Sequence, residues 1–171
     1  MIKIYLAAPL FNEMERARNL RFSNILENNG FKVYLPQRDG GLFYELINRG
    51  YTNQEARKHI FNEDVSAIYD SDVILCLLDG RVPDEGMCIE LGIAFAKGKI
   101  CIGYKSDQRS QDKFGDNIIL DGTLSNIFSR KEELLEYLMA IEIIQKNFYY
   151  NVENKTKVSN EEMACFFPKY K

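Results

Sequence analysis

The chain alternates short, continuously apolar runs with longer segments whose apolar positions recur at helical spacing. Residues 2–7 (Ile-Lys-Ile-Tyr-Leu-Ala) form a β-branched-rich run that halts before Pro9, which predicts a buried strand ending in a loop. Residues 12–29 are polar and helix-favouring, with Phe22, Ile25 and Leu26 as an apolar stripe and Asn29-Gly30 as a stop signal. A second strand is expected over 31–35, and the Pro36-Gln37-Arg38-Asp39-Gly40-Gly41 stretch reads as a loop leaving it. Two helical segments follow, over about 42–49 and 53–70. Residues 72–78 are apolar without a break after Asp72, as in strands covered on both faces. Beyond a loop around Pro83, residues 86–97 predict a small-residue-rich helix closed by Gly98, and 100–104 a fourth strand. Residues 105–117 read as a loop, 118–120 as a short fifth strand and 130–147 as a last helix.

This β-α-β-α-β-α-β order predicts an α/β fold: a doubly wound, mainly parallel five-stranded sheet with helices on both faces, flavodoxin-like or Rossmann-like. Parallel neighbours need crossover connections, and those put helices on both faces of the sheet. A length of 171 residues suits one core. Residues 1–147 are expected to form the α/β domain, and 148–171 a C-terminal tail packing on the domain or on a neighbouring subunit.

Composition narrows the function classes. A net charge of -3 argues against affinity for a nucleic-acid polymer, which needs clustered Lys and Arg. Cys76, Cys88, Cys101 and Cys165 show no C-x-x-C spacing, and three lie in apolar runs, so they read as reduced core thiols. No apolar stretch approaches bilayer-spanning length and the N-terminus enters a strand rather than a signal peptide, so no membrane association and a cytoplasmic location are expected. With His59 the only histidine, a Ser-His-Asp triad or a multi-histidine zinc site lacks material, and neither metal nor cofactor is expected. Carboxylates must carry any acid, base or nucleophile work. The absence of G-x-G-x-x-G after the first strand and of G-x-x-x-x-G-K-[ST] removes dinucleotide dehydrogenases and P-loop enzymes.

In a doubly wound sheet ligands bind beyond the carboxyl ends of the strands, so the loops at 7–11, 36–41 and 79–90 should converge. The third carries Asp84-Glu85-Gly86-Met87-Cys88-Ile89-Glu90-Leu91-Gly92, with carboxylates just before and just inside a helix. Such a Glu, taken alone, is ordinarily a complement to the helix dipole. Its neighbours change the weighting. Tyr5-Leu6-Ala7-Ala8-Pro9-Leu10-Phe11, Asp64, Asp72-Val73, Asp84 and Glu90-Leu91-Gly92, joined in order to Ser106-Asp107-Gln108-Arg109 and Asp116-Asn117, resemble the nucleoside 2-deoxyribosyltransferase family over residues 2–138.

The resemblance implies catalytic roles for Glu90 as nucleophile, Asp84 near the departing base and Tyr5 in contact with Glu90. It implies substrate contacts from Asp64, Phe11 and, reaching across from a neighbouring subunit, Asn117; the converging strand-end loops add Gln37, Asp39, Gly86 and Met87 as expected substrate contacts. The partners it implies are small-molecule deoxynucleosides and free nucleobases, as in nucleotide salvage, together with further copies of the chain in a homo-oligomer, a dimer or an assembly of dimers, with shared active sites.

The chemistry fits these residue types. A 2-deoxy sugar lacks the electron-withdrawing 2-hydroxyl, so positive charge forms more readily at its anomeric carbon, and a Glu can stabilise that charge and collapse onto it. A second base attacking the ester from the vacated face restores the original configuration, which makes the transfer retaining and ping-pong. Two other readings stay open: a 2′-deoxynucleoside (5′-phosphate) N-glycoside hydrolase using the same Glu, and a nucleotide-binding module without chemistry. The Ala7-Ala8-Pro9-Leu10-Phe11 loop offers no glycine pair to cradle a phosphate, which favours an unphosphorylated substrate.

Overall fold

A computed structural model describes residues 1–80, 82–107, 109 and 116–153 of the chain. Five strands, β1 (Lys3–Ala7), β2 (Lys32–Tyr34), β3 (Val73–Leu77), β4 (Ile100–Tyr104) and β5 (Asn126–Phe128), form one sheet in the order β2-β1-β3-β4-β5. Every pairing is parallel. The helices are α1 (Glu13–Asn28), α2 (Pro36–Asp39), α3 (Phe43–Asn48), α4 (Asn53–Asp70), α5 (Glu85–Ala96), α6 (Ile118–Thr123) and α7 (Lys131–Glu153). The strand order reverses between β1 and β3, which is where a doubly wound sheet opens a crevice at its carboxyl edge.

Side-chain alternation along β1 decides what faces that crevice. Ile4 and Leu6 join Phe22 and Leu26 of α1 and Leu134 and Leu138 of α7 in one core. Tyr5 and Ala7 point the other way, into a second core with Ile68 of α4, Met87 and Leu91 of α5 and Leu120 of α6. All five residues of β3 are buried, consistent with cover on both faces. Each fully buried Ile or Leu here contributes roughly 1.5–3 kcal/mol.

Local signals set the element ends. Asn12 caps α1 and Thr52 caps α4 in reciprocal capping boxes with Glu15 and Glu55. The loop after β1 is drawn onto α1 by Asn19 Nδ2 donating to the Pro9 carbonyl at 2.8 Å and by Arg16 Nη1 donating to the Leu10 carbonyl at 3.0 Å.

Four expectations need correction. The 36–41 stretch is not all loop, because Pro36 sits at the first position of the short helix α2, where its missing N–H costs nothing. Residues 118–120 open helix α6 rather than a strand: Asn117 caps them, its Oδ1 accepting from the Ile119 N–H at 2.9 Å. The fifth strand lies later, at Asn126–Phe128. Helix α7 runs on to Glu153, past the expected break at 148. Of the thiols, Cys76 and Cys101 are buried but Cys88 is exposed on α5, and Cys165 lies outside the described residues. No helix among the described residues is long and apolar enough to cross a membrane.

Candidate active site

Glu90 stands in the second turn of α5, on the side packed against β1. The Tyr5 hydroxyl donates to its Oε1 at 2.6 Å. Burial, foremost, pushes the Glu90 carboxyl up to about 8; the Tyr5 hydrogen bond opposes this, and the negative charges of Asp64 and Asp84 add to it. Burial beside these carboxylates also raises the Tyr5 phenol far above its ordinary range, so it stays a donor. Because Tyr5 occupies Oε1, Oε2 is left for bond formation, and esterification there would leave Oε1 as a carbonyl still accepting from Tyr5.

Asp64, from α4, lies near enough for its charge to raise Glu90. Its Oδ1 accepts from the Tyr34 hydroxyl at 3.1 Å, and burial pushes its carboxyl up to about 6, against that hydrogen bond and with help from the charge of Glu63. Beside it, Phe43, Arg57, Ile60 and Phe61 line a shallow cavity of about 430 Å³. Asp84 is the N-cap of α5, its Oδ1 accepting from the Met87 N–H at 2.8 Å. Gly86, one residue into the helix, lets the cap close tightly: a Cβ there would stand 3.1 Å from Asp84 Oδ1.

The remaining expected contacts fall into two groups. Phe11 is 75% exposed on the loop after β1, free to lie over a ligand. Asn117 is exposed at the start of α6, followed by Ile118 and Ile119, which are 85% and 76% exposed. Asn117 and Ile119 line an apolar groove of about 460 Å³ with Val82, Cys88 and Ile89.

Three others are committed elsewhere. Gln37 Oε1 accepts from Asn19 and its Nε2 donates to the Arg16 carbonyl, so both polar atoms bind α1. Asp39 Oδ2 accepts from the Leu35 N–H at 2.8 Å and both its oxygens hold Arg38. Met87 is 1% exposed in the core and its N–H is taken by Asp84, so it supports the site from beneath.

Sequence reasoning missed Tyr34. Only the parallel register, which sets Tyr5 opposite Tyr34, shows that the two phenols stand together. It also gave Asp79, the first residue of the 79–90 loop, no role of its own. Asp79 accepts from the Ser106 and Asp107 N–H groups at 2.7 and 2.9 Å and from Ser106 Oγ at 2.9 Å, tying the end of β3 to the segment after β4. Gln108, part of the quoted motif, lies outside the described residues. No group of three His, Cys, Asp or Glu suited to a metal occurs among the described residues.

The sequence profile of the nucleoside 2-deoxyribosyltransferase family matches residues 4–161. A nucleoside deoxyribosyltransferase of Limosilactobacillus fermentum is 28% identical over 124 residues, covering 69% of this chain and 73% of that protein. Among solved structures, the 2-deoxyribosyltransferase of Bacillus psychrosaccharolyticus has a TM-score of 0.66 at 22% identity, over 78% of this chain and 90% of its own. A CMP N-glycosidase of Clostridium botulinum has a TM-score of 0.52 at 20% identity, over 80% and 97%. These two structural likenesses carry the fold. The profile, which spans most of the chain, together with the Limosilactobacillus fermentum relative defines an enzyme of the deoxyribosyltransferase class. Within that class, the chain belongs to the nucleoside 2-deoxyribosyltransferase family.

Proposed function

We propose that the chain moves 2-deoxyribose between nucleobases through a covalent deoxyribosyl ester on Glu90. The observation that carries this reading is a largely buried carboxylate at the crevice, held through one oxygen by Tyr5 with the other left for attack. On nucleoside binding the proton that Glu90 holds passes to Asp84; Glu90 Oε2 then attacks the anomeric carbon as the C–N bond breaks, the bond's electron pair going to the base, whose ring nitrogen takes that proton from Asp84. An acceptor base then attacks the same carbon, the ester oxygen leaves as the Glu90 carboxylate, and the acceptor's ring proton passes to Asp84. Two inversions return the starting configuration.

Asp64 supplies a hydrogen-bond acceptor for the sugar or base, and Phe11 an apolar face for the base. Asn117, placed beside exposed Ile118 and Ile119, serves the pocket of a neighbouring copy, which makes the working unit a homo-oligomer. Support for this last point is the apolar groove that Asn117 borders.

The test is incubation with thymidine or deoxyadenosine, with and without a free acceptor base, followed by separation of products. A new nucleoside is expected with wild-type protein and none with folded Glu90→Ala. Free deoxyribose as the main product despite saturating acceptor would establish the hydrolase reading instead, and turnover retained by Glu90→Ala would end the mechanism.

A further inference from the structure

Two tyrosines on neighbouring strands divide the two carboxylates between them. Tyr5 of β1 and Tyr34 of β2 are register partners, and their rings stack with centroids 5.4 Å apart and planes 16° from parallel. The Tyr5 hydroxyl goes to Glu90 of α5, and the Tyr34 hydroxyl goes to Asp64 of α4. Gly40 closes the other side of the second pair: a Cβ there would stand 2.7 Å from Tyr34 Oη and 2.8 Å from Asp64 Oδ1. Its φ of -85° is one that any residue adopts, so the glycine answers a demand for space and not for backbone conformation.

We infer that Tyr34 is a positioning residue: its hydroxyl fixes Asp64 through Oδ1, holds that carboxylate charged beside Glu90, and with Gly40 leaves Oδ2 open to a hydrogen-bond donor of the substrate. This rests on the reading of Glu90 as nucleophile and Asp64 as substrate ligand. The groups facing the pair are few. Glu90 meets Tyr5 from β1, Asp64 from α4, Asp84 at the head of its own helix and the Cys76 thiol from β3. Asp64 meets Tyr34 from β2 and Glu63 beside it, while Arg57 lines the adjoining cavity with its Nε held by Asn53. Asp39 lies near enough for its charge to act on Tyr34.

Removing one hydroxyl therefore has opposite consequences at the two tyrosines. In Tyr34→Phe, Asp64 loses the bond that favours its charge and protonates more easily, so Glu90 loses a negative neighbour and ionises more easily. In Tyr5→Phe, Glu90 loses its own donor and ionises less easily. Carboxyl carbon-13 titration without substrate reads both. Tyr34→Phe is expected to raise the Asp64 midpoint and lower that of Glu90, each by about one pH unit, while Tyr5→Phe raises that of Glu90.

A Glu90 midpoint that stays put or rises in folded Tyr34→Phe overturns the inference, because a merely structural hydroxyl would leave it unmoved. Gly40→Ala should move both midpoints in the Tyr34→Phe directions. A folded Gly40→Ala with wild-type midpoints removes Gly40 from the account, and Tyr34→Phe, which deletes one oxygen, carries the test by itself. In exchange assays Tyr34→Phe should raise KM by about tenfold with a smaller change in kcat. Wild-type protein without exchange would sink the parent reading and leave the titration result standing.

Discussion

Glu90 is a carboxyl in a setting that disfavours its charge, and that has a cost measurable without any substrate. Its folded-state pKa, about 8, lies above the ordinary value of 4.5, so between those pH values the native state holds a proton that the unfolded chain has released. Stability from this group is complete below the unfolded value and is lost as pH rises toward 8; Asp64, raised to about 6, acts with the same sign over a narrower window. Glu90→Gln keeps an acceptor for Tyr5 and never ionises. It should flatten the fall in melting temperature between pH 5 and 8, and stabilise the fold at pH 8 by on the order of 1–3 kcal/mol. Parallel melting curves for the two proteins across that range would count against a buried, proton-holding Glu90. The Tyr5–Glu90 contact was expected from the sequence through a family pattern, and the geometry places the two in hydrogen-bond contact. Gln37 and Asp39 were expected at the substrate because they follow a strand end, and in the structure their side chains accept from Asn19 of α1 and from the Leu35 N–H.

Helix α5 does two jobs at one residue. Asp84 caps its N-terminus and, in the proposed mechanism, hands a proton to the leaving base. Asn is as good an N-cap as Asp but carries no transferable acid proton, so Asp84→Asn separates the two roles. Its melting temperature should stay close to wild type while exchange slows by about 10²- to 10⁴-fold, whereas Asp84→Ala should also lose about 1 kcal/mol of stability. Full activity in Asp84→Asn would assign Asp84 to capping alone.

The same element scale shows what the pattern of the chain could convey. β1, β3, β4 and the long helices were legible because their apolar spacing has only one solution. The Ile118-Ile119-Leu120 run was not: three apolar residues fit a strand or a helix equally, and Asn117, the cap that decides it, reads equally as loop. Pro36 was taken for a breaker when it is a starter, and a three-residue β5 leaves almost no periodic signal. Tyr34 lay beyond reach for another reason, since its importance comes from lying opposite Tyr5 across a strand pair, and register is a property of the assembled sheet.

At the scale of the whole molecule, the sheet gathers the side chains of the proposed site on one face of its carboxyl edge, while Asn117, Ile118 and Ile119 at the start of α6 are exposed. Isolated apolar side chains on a surface are ordinary, but here Ile119 borders an apolar groove that also holds Val82 and Ile89, and exposed Ile118 stands next to it in the chain. If Asn117 completes the site of a neighbouring copy, a lone chain is folded and idle. Catalysis then becomes a property of concentration. Specific activity should decline on serial dilution at fixed substrate while far-ultraviolet circular dichroism stays unchanged, and adding back inactive Glu90→Ala chains with intact Asn117 should restore part of it. Activity strictly proportional to protein down to the lowest measurable amount would mean that each chain is sufficient alone.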